Sequence, residues 1–146
     1  MEQEFKFPIV AFGSNTNLDD LDRYALLHGY PTGCLRFSRL VNAPDYKLAF
    51  TKHSKGRRGG VLDLLYSIGH VTTVALFYAN EAGLELLKQK EGVPRHYVKK
   101  QITVIDAGGG EIQALTYVVA PDQRKRYVRP SEEYLNICKE GFERLG

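Results

Sequence analysis

Short apolar runs separated by turn residues dominate the chain, and this pattern predicts strands more often than helices. The run Pro8–Phe12 ends at Gly13, which is typical of a buried strand. The other strand-like segments are Leu35–Val41, Tyr46–Thr51, Val61–Tyr66, Val71–Tyr78, Tyr97–Ile105 and Ile112–Val119. The last two segments flank a run of three glycines and predict a β-hairpin.

Three segments carry the start signals of helices. Asn17 can accept hydrogen bonds from the free N–H groups at the start of a helix that runs to Leu27. Asn80 is a suitable cap for a second helix that ends at Gly92, and Ser131 for a third. About six or seven strands and three peripheral helices, in no regular β-α-β order, predict an α+β fold with a largely antiparallel sheet or barrel.

Composition limits the class of protein without indicating a function. The length of 146 residues predicts a single domain over residues 1–146. Hydrophobic residues make up 43% of the chain and charged residues 25%, which excludes a disordered or collagen-like chain. No apolar run approaches the roughly 20 residues that span a bilayer, and the acidic N-terminus is unlike a secretory signal. We therefore expect a cytoplasmic protein with no membrane partner.

Charge, cysteine and histidine patterns give no further site. The net charge of +3 is too small to indicate nucleic-acid binding, and Arg124–Arg126 is typical of a solvated basic loop. Cys34 and Cys138 are too few for a disulfide scaffold. The four histidines lack the spacing of metal ligands: His28, His53, His70 and His96. We expect neither a nucleic-acid partner nor a metal.

The first segment that could carry chemistry is Phe12-Gly13-Ser14-Asn15, between the first strand and the first helix. Its small side chains let backbone N–H groups approach a ligand, and the nearby helix start favours an anion such as a carboxylate. Ordinary strand-to-helix turns use the same residues, and spacing alone favours that interpretation. The segment also lacks the glycine patterns of nucleotide-binding loops.

The second segment is Lys90-Glu91-Gly92, at the end of the second predicted helix. The negative end of the helix dipole disfavours a charged carboxylate there, and partial burial would act in the same direction. Both effects favour general acid–base chemistry at Glu91. The alternative, which the pattern alone favours, is a solvated glutamate in a helix rich in lysine and glutamate.

Taken in order, several motifs resemble the γ-glutamylcyclotransferase family, including its AIG2-like relatives. The matching segments are Ala11–Asn15, Gly59–Asp63, Val74–Phe77, Glu91-Gly92, Tyr97 and Pro130–Ile137. Each motif is short, but the ordered set runs from about Ile9 to Ile137 and covers nearly the whole chain. One residue departs from the pattern, because Phe12 stands where the family usually has tyrosine.

The resemblance implies a small mixed, largely antiparallel β-barrel flanked by about three helices. It also implies a γ-glutamyl cyclotransferase, in which the α-amine of a small-molecule γ-glutamyl substrate attacks its own γ-amide carbonyl and releases 5-oxoproline. By resemblance, Glu91 is the catalytic acid–base group, and no metal or organic cofactor is needed. The substrate-binding residues that it implies are Phe12, Gly13, Ser14, Asn15, Tyr97 and Tyr134.

The change at Phe12 keeps a second function open. Phenylalanine removes a hydroxyl from the expected pocket, so a catalytically silent small-molecule-binding or interaction module on the same scaffold is the alternative. The sequence also leaves open the oligomeric state and the leaving amine, for which an amino acid, a lysine-derived amine or an antibiotic-like amine would fit.

Overall fold

A computed structural model describes residues 4–145, and its strands form a closed barrel. The strands are β1 (Phe7–Ala11), β2 (Leu35–Ser54), β3 (Gly59–Ala79), β4 (Tyr97–Ile105) and β5 (Glu111–Val119). Their order around the barrel is β1-β3-β2-β4-β5. The helices are α1 (Leu18–Leu27), α2 (Glu81–Glu91) and α3 (Glu132–Leu145), and short 3-10 turns cover Ser14–Thr16 and Pro121–Gln123.

Strand pairing makes the barrel mixed but mostly antiparallel. β1 and β5 close it in parallel, with Ile9 opposite Leu115. The other neighbouring strands pair antiparallel, and the hairpin of β2 and β3 is paired along nearly the full length of both strands. A mixed, largely antiparallel barrel flanked by helices confirms the predicted fold class.

The expected number of strands is wrong, because four of the predicted strands merge into two long ones. The merged segments are Leu35–Val41 with Tyr46–Thr51 in β2, and Val61–Tyr66 with Val71–Tyr78 in β3. The turn residues between them form an irregularity in the ladder, where Asp45 adopts a φ of 67° and Gly69 a φ of 89°. The Gly69 N–H donates to Asp45 Oδ1 over 2.9 Å. A bulge of this kind bends a strand without ending it.

The three helices begin where their capping residues predict. Asn17, Asn80 and Ser131 each accept a hydrogen bond from the backbone N–H three residues later, over 3.2, 2.8 and 3.2 Å. Gly92 ends α2 with a φ of 64°, a left-handed conformation that a residue without a Cβ adopts at little cost. The chain therefore turns directly after Glu91.

Two hydrophobic clusters fill the barrel and its outer face. Adjacent residues of a strand point to opposite faces, so Val10 enters the interior cluster and Ile9 the outer one. The interior cluster consists of strand residues together with Phe12. The outer cluster also contains Leu21 of α1 and Leu86 of α2, which shows that both helices pack against the barrel wall.

Candidate active site

A pocket of ≈ 1140 Å³ lies where the segment after β1 meets the end of α2. The turn between β2 and β3, the start of β4 and helix α3 complete its wall. Every residue that the sequence predicts for the site lines this pocket: Phe12, Gly13, Ser14, Asn15, Glu91, Tyr97 and Tyr134. The fold therefore brings both candidate segments to one place.

Glu91 contacts the Gly13–Asn15 loop directly. Asn15 Nδ2 donates a hydrogen bond to Glu91 Oε1 over 2.6 Å, although the two residues are 76 positions apart. Glu91 is the last residue of α2, and its side chain is only partly exposed. The carboxylate is thus held against the loop rather than extended into solvent, as a surface glutamate would be.

Lys90 also reaches this loop, and the sequence reasoning did not identify it as a site residue. Its Nζ donates to Asn15 Oδ1 over 2.6 Å and to Ser14 Oγ over 3.3 Å. Burial lowers the pKa of the Lys90 ammonium, against the opposing effect of the Glu91 carboxylate. No sequence signal separates Lys90 from Lys88, which lies on the same helix and is exposed.

Tyr97 and Tyr134 bring phenols to the pocket. Tyr134 is 3% exposed, and its Oη accepts a hydrogen bond from the Leu62 N–H over 3.1 Å. Burial raises the pKa of both phenols well above the usual value, and the Glu91 carboxylate adds to the effect. Both tyrosines are therefore neutral hydrogen-bond donors over the physiological pH range.

The loop after β1 presents apolar surface and backbone donors. Phe12 is buried in the interior cluster and also lines the pocket. A Cβ added at Gly13 would lie 3.0 Å from Tyr134 Oη, so glycine lets the loop approach this phenol closely. The 3-10 turn Ser14–Thr16 follows, and the first N–H groups of such a turn have no acceptor within it.

A bidentate ion pair braces the wall beside Tyr134. Arg57, in the turn between β2 and β3, donates through its two terminal nitrogens to the Asp20 carboxylate over 3.0 and 2.6 Å. Its guanidinium carbon lies 5.9 Å from the centre of the Tyr134 ring. Ser131 Oγ donates to the Arg57 carbonyl over 2.8 Å. The turn is therefore fastened to both α1 and the start of α3.

Basic side chains surround the pocket, and we refer to Arg23, Lys52, Lys55 and Arg95 as the basic rim. Within residues 4–145 none of the four forms an ion pair with a carboxylate. Partial burial lowers the pKa of Lys52, and the charges of Lys125 and Arg95 add to this. Such a rim attracts anionic ligands and repels cationic ones.

Other candidate groups are not arranged for chemistry. Within residues 4–145, no three His, Cys, Asp or Glu side chains are grouped so that they could hold a metal ion. Cys34 and Cys138 are both buried free thiols. No helix in this part of the chain is long and apolar enough to span a membrane.

Comparison with known proteins identifies the family. The model of the AIG2-like family matches residues 71–146, just over half of the chain. The chain belongs to the AIG2-like family. The matched part of this AIG2-like protein includes Glu91, Tyr97 and Tyr134, whereas the Gly13–Asn15 loop lies outside it. A sequence comparison with curated proteins returns no match.

Solved structures share the whole fold of this AIG2-like protein. A structure named gamma-glutamyl cyclotransferase is 24% identical, with a TM-score of 0.82 over 96% of this chain and 80% of the other. An uncharacterized protein from Homo sapiens is 25% identical, with a TM-score of 0.80 over 98% of this chain and 82% of the other. YkqA from Bacillus subtilis is 22% identical, with a TM-score of 0.76 over 94% of this chain and 48% of the other. The fold is therefore γ-glutamyl-cyclotransferase-like.

Proposed function

We propose that this AIG2-like protein is a γ-glutamyl cyclotransferase that releases 5-oxoproline from a γ-glutamyl amine or γ-glutamyl amino acid. The observation that carries the proposal is the 2.6 Å hydrogen bond between Asn15 and Glu91 inside the pocket. It sets a carboxylate beside a loop with backbone donors, and the reaction needs both. The likeness to a solved gamma-glutamyl cyclotransferase supports the proposal through the fold.

The first step needs a base. The α-ammonium group of the substrate must lose a proton before its nitrogen can attack the γ-amide carbonyl carbon. Oε1 of Glu91 accepts a hydrogen bond from Asn15, whereas Oε2 has no hydrogen-bond partner within residues 4–145. Oε2 is therefore the oxygen that takes the proton. Attack forms the new carbon–nitrogen bond and closes a five-membered ring, which benefits from an effective molarity on the order of 10⁵ M or more.

Ring closure moves negative charge onto the former carbonyl oxygen. Backbone N–H groups of Gly13, Ser14 and Asn15 can donate to this oxyanion or to the substrate α-carboxylate. The neutral phenols of Tyr97 and Tyr134 add further donors at the same pocket wall. Fixed donors of this kind stabilise a transition state more than the ground state, because they are aimed where charge develops.

The second step needs an acid. The bond from the γ-carbonyl carbon to the leaving nitrogen breaks, and that nitrogen takes the proton that Glu91 received. The ring nitrogen still carries the second proton of the former ammonium group, and Glu91 accepts it and passes it to the released amine. The carboxylate is regenerated, and the products are 5-oxoproline and a protonated amine or amino acid. One carboxylate thus serves as base and then as acid, and the reaction consumes no water.

The test is 5-oxoproline formation from a panel of γ-glutamyl amino acids, γ-glutamyl-lysine isopeptides and γ-glutamyl amines, followed by mass spectrometry. We expect Glu91→Gln to lower kcat/KM by about 10²- to 10⁴-fold, the usual contribution of a general acid–base group. Glu85→Gln is the matched control, because Glu85 is an exposed glutamate on the same helix. A correctly folded Glu91→Gln protein with full activity contradicts the role given to Glu91.

Phe12 favours a second candidate function, a binding module without turnover. Its ring offers the pocket no hydroxyl where the family usually has tyrosine. A γ-glutamyl compound that raises the melting temperature without forming 5-oxoproline supports this function. Phe12→Tyr distinguishes the two functions. If 5-oxoproline forms only with this variant, the missing hydroxyl explains why the native chain has no activity.

A further inference from the structure

The contacts of Lys90 and Glu91 with Asn15 form a continuous relay. Lys90 Nζ donates to Asn15 Oδ1 over 2.6 Å, and Asn15 Nδ2 donates to Glu91 Oε1 over 2.6 Å. Ser14 Oγ is a second acceptor for the same ammonium, at 3.3 Å. The two neighbouring residues at the end of α2 therefore each form a hydrogen bond with the same side-chain amide of the loop.

The relay fixes which way the Asn15 amide faces. An ammonium group can only donate, so it requires the amide oxygen on its side. A flipped amide would direct its NH₂ group at the Lys90 ammonium and its oxygen at the Glu91 carboxylate, and both contacts would be repulsive. The ammonium also polarises the amide, which strengthens the Nδ2–H donor toward Glu91.

The groups that surround Lys90 determine which of them responds to its positive charge. The charged and titratable groups that face it are Glu91 on the same helix, Arg57 from the β2–β3 turn, Asp20 from α1 and Cys138 from α3. Asp20 is neutralised by its bidentate pair with Arg57. The Glu91 carboxylate is therefore the negative group left to respond to the ammonium.

We propose that Lys90 is a positioning residue for the cyclotransferase reaction, because it orients Asn15 and thereby holds Glu91 as a fixed carboxylate. This inference rests on the proposed function and extends it to a residue that does not need to touch the substrate. Lys90 acts on the position of the Glu91 carboxylate rather than on substrate binding, so it affects kcat more than KM.

The experiment compares Lys90→Met with Lys88→Met, which removes the same charge from an exposed position of the same helix. We expect Lys90→Met to lower kcat by about 10- to 100-fold, since a small misplacement of a reacting group has an effect of this size. We expect KM to change much less than kcat, because Lys90 orients Asn15 and Glu91 and is not needed to hold the substrate. Lys90→Arg keeps a cationic donor and restores part of the rate.

A second measurement does not depend on activity. Proton–nitrogen NMR of the asparagine side-chain amides follows the Asn15 NH₂ signals in the same proteins, and circular dichroism checks that each is folded. We expect the Asn15 NH₂ signals to shift in Lys90→Met and to stay in place in Lys88→Met, because Lys90 donates to Asn15 Oδ1 and Lys88 is exposed. The inference is wrong if Lys90→Met matches Lys88→Met in kcat and in the Asn15 NMR signals. If the wild-type protein forms no 5-oxoproline, the proposed function fails, and the NMR signals still decide whether Lys90 orients Asn15.

Discussion

The carboxylate of Asp63 on β3 is fully buried and accepts four hydrogen bonds. Oδ1 accepts from the N–H groups of Leu64 and Val119, both over 2.9 Å. Oδ2 accepts from Thr51 Oγ1 over 3.0 Å and from Arg124 Nε over 2.7 Å. One side chain thus joins β2, β3, β5 and the segment after β5, and its removal should weaken the barrel beside the pocket.

The effect of Asp63→Ala follows from the donors that it leaves behind. Thr51, Leu64 and Val119 are buried, and each buried donor left without an acceptor costs about 1–3 kcal/mol. Arg124 is partly exposed and can turn toward water, so it adds little. The three buried donors together therefore give an expected loss of at least about 3 kcal/mol. Asp63→Asn keeps an acceptor for the two N–H groups and loses the charged contact, so we expect about 1.5–3 kcal/mol.

Urea unfolding at neutral pH measures the loss of unfolding free energy in both variants. The loss follows from the shift of the transition midpoint when the dependence on urea concentration keeps the same slope. Glu143→Ala is the control, because it breaks an exposed pair with Lys139 and should change the free energy of unfolding by less than about 1 kcal/mol. A loss below about 1 kcal/mol in Asp63→Ala, or equal losses in the alanine and asparagine variants, refutes the reasoning.

Three further predictions concern packing, pH and charge. A Cβ at Gly141 would clash with Thr16 Oγ1 and lie 2.7 Å from the Asn17 backbone nitrogen, so Gly141→Ala should push α3 away from the segment that follows the Gly13–Asn15 loop. We expect it to lower the unfolding free energy by about 1–3 kcal/mol in urea, and unchanged stability contradicts this. Burial raises the pKa of Tyr117 to about 12 from 10.0, so above pH 10 the unfolded state releases a proton that the folded state keeps. Tyr117 should then lower the free energy of unfolding by about 1.4 kcal/mol per pH unit up to about pH 12, in addition to the losses from Tyr97 and Tyr134, and Tyr117→Phe should reduce the slope of stability against pH by that amount in alkaline melting curves. Arg95→Glu reverses one charge of the basic rim, so KM for γ-glutamyl substrates should rise several-fold at low salt and the difference should shrink as salt is added. Equal KM values at both salt concentrations would rule out steering by the rim.

Local signals predicted the helices well, because a cap acts within one turn. Asn17, Asn80 and Gly92 each form the contact or conformation that their residue type favours. The long strands were harder to predict, since Asp45 looks like a turn residue in the sequence. Its place within β2 depends on continued pairing with β3, which no local pattern contains.

The site was also harder to predict than the helices, because its contacts join residues that are far apart in the chain. Spacing alone did not favour a functional role for Glu91, because its contact with Asn15 joins residues 76 positions apart. Only the resemblance placed the two segments in one pocket. The sequence does not indicate a role for Lys90, because a lysine that folds back onto a loop has the same sequence context as the exposed Lys88.

The most direct test of the proposed function is kcat/KM for 5-oxoproline formation by the wild-type protein and by Glu91→Gln, on the best γ-glutamyl substrate of the panel. We predict measurable release of 5-oxoproline by the wild-type protein and a loss of about 10²- to 10⁴-fold in the variant, with Glu85→Gln unchanged. Equal values for a folded Glu91→Gln protein and the wild type would contradict the role of Glu91 as the acid–base group.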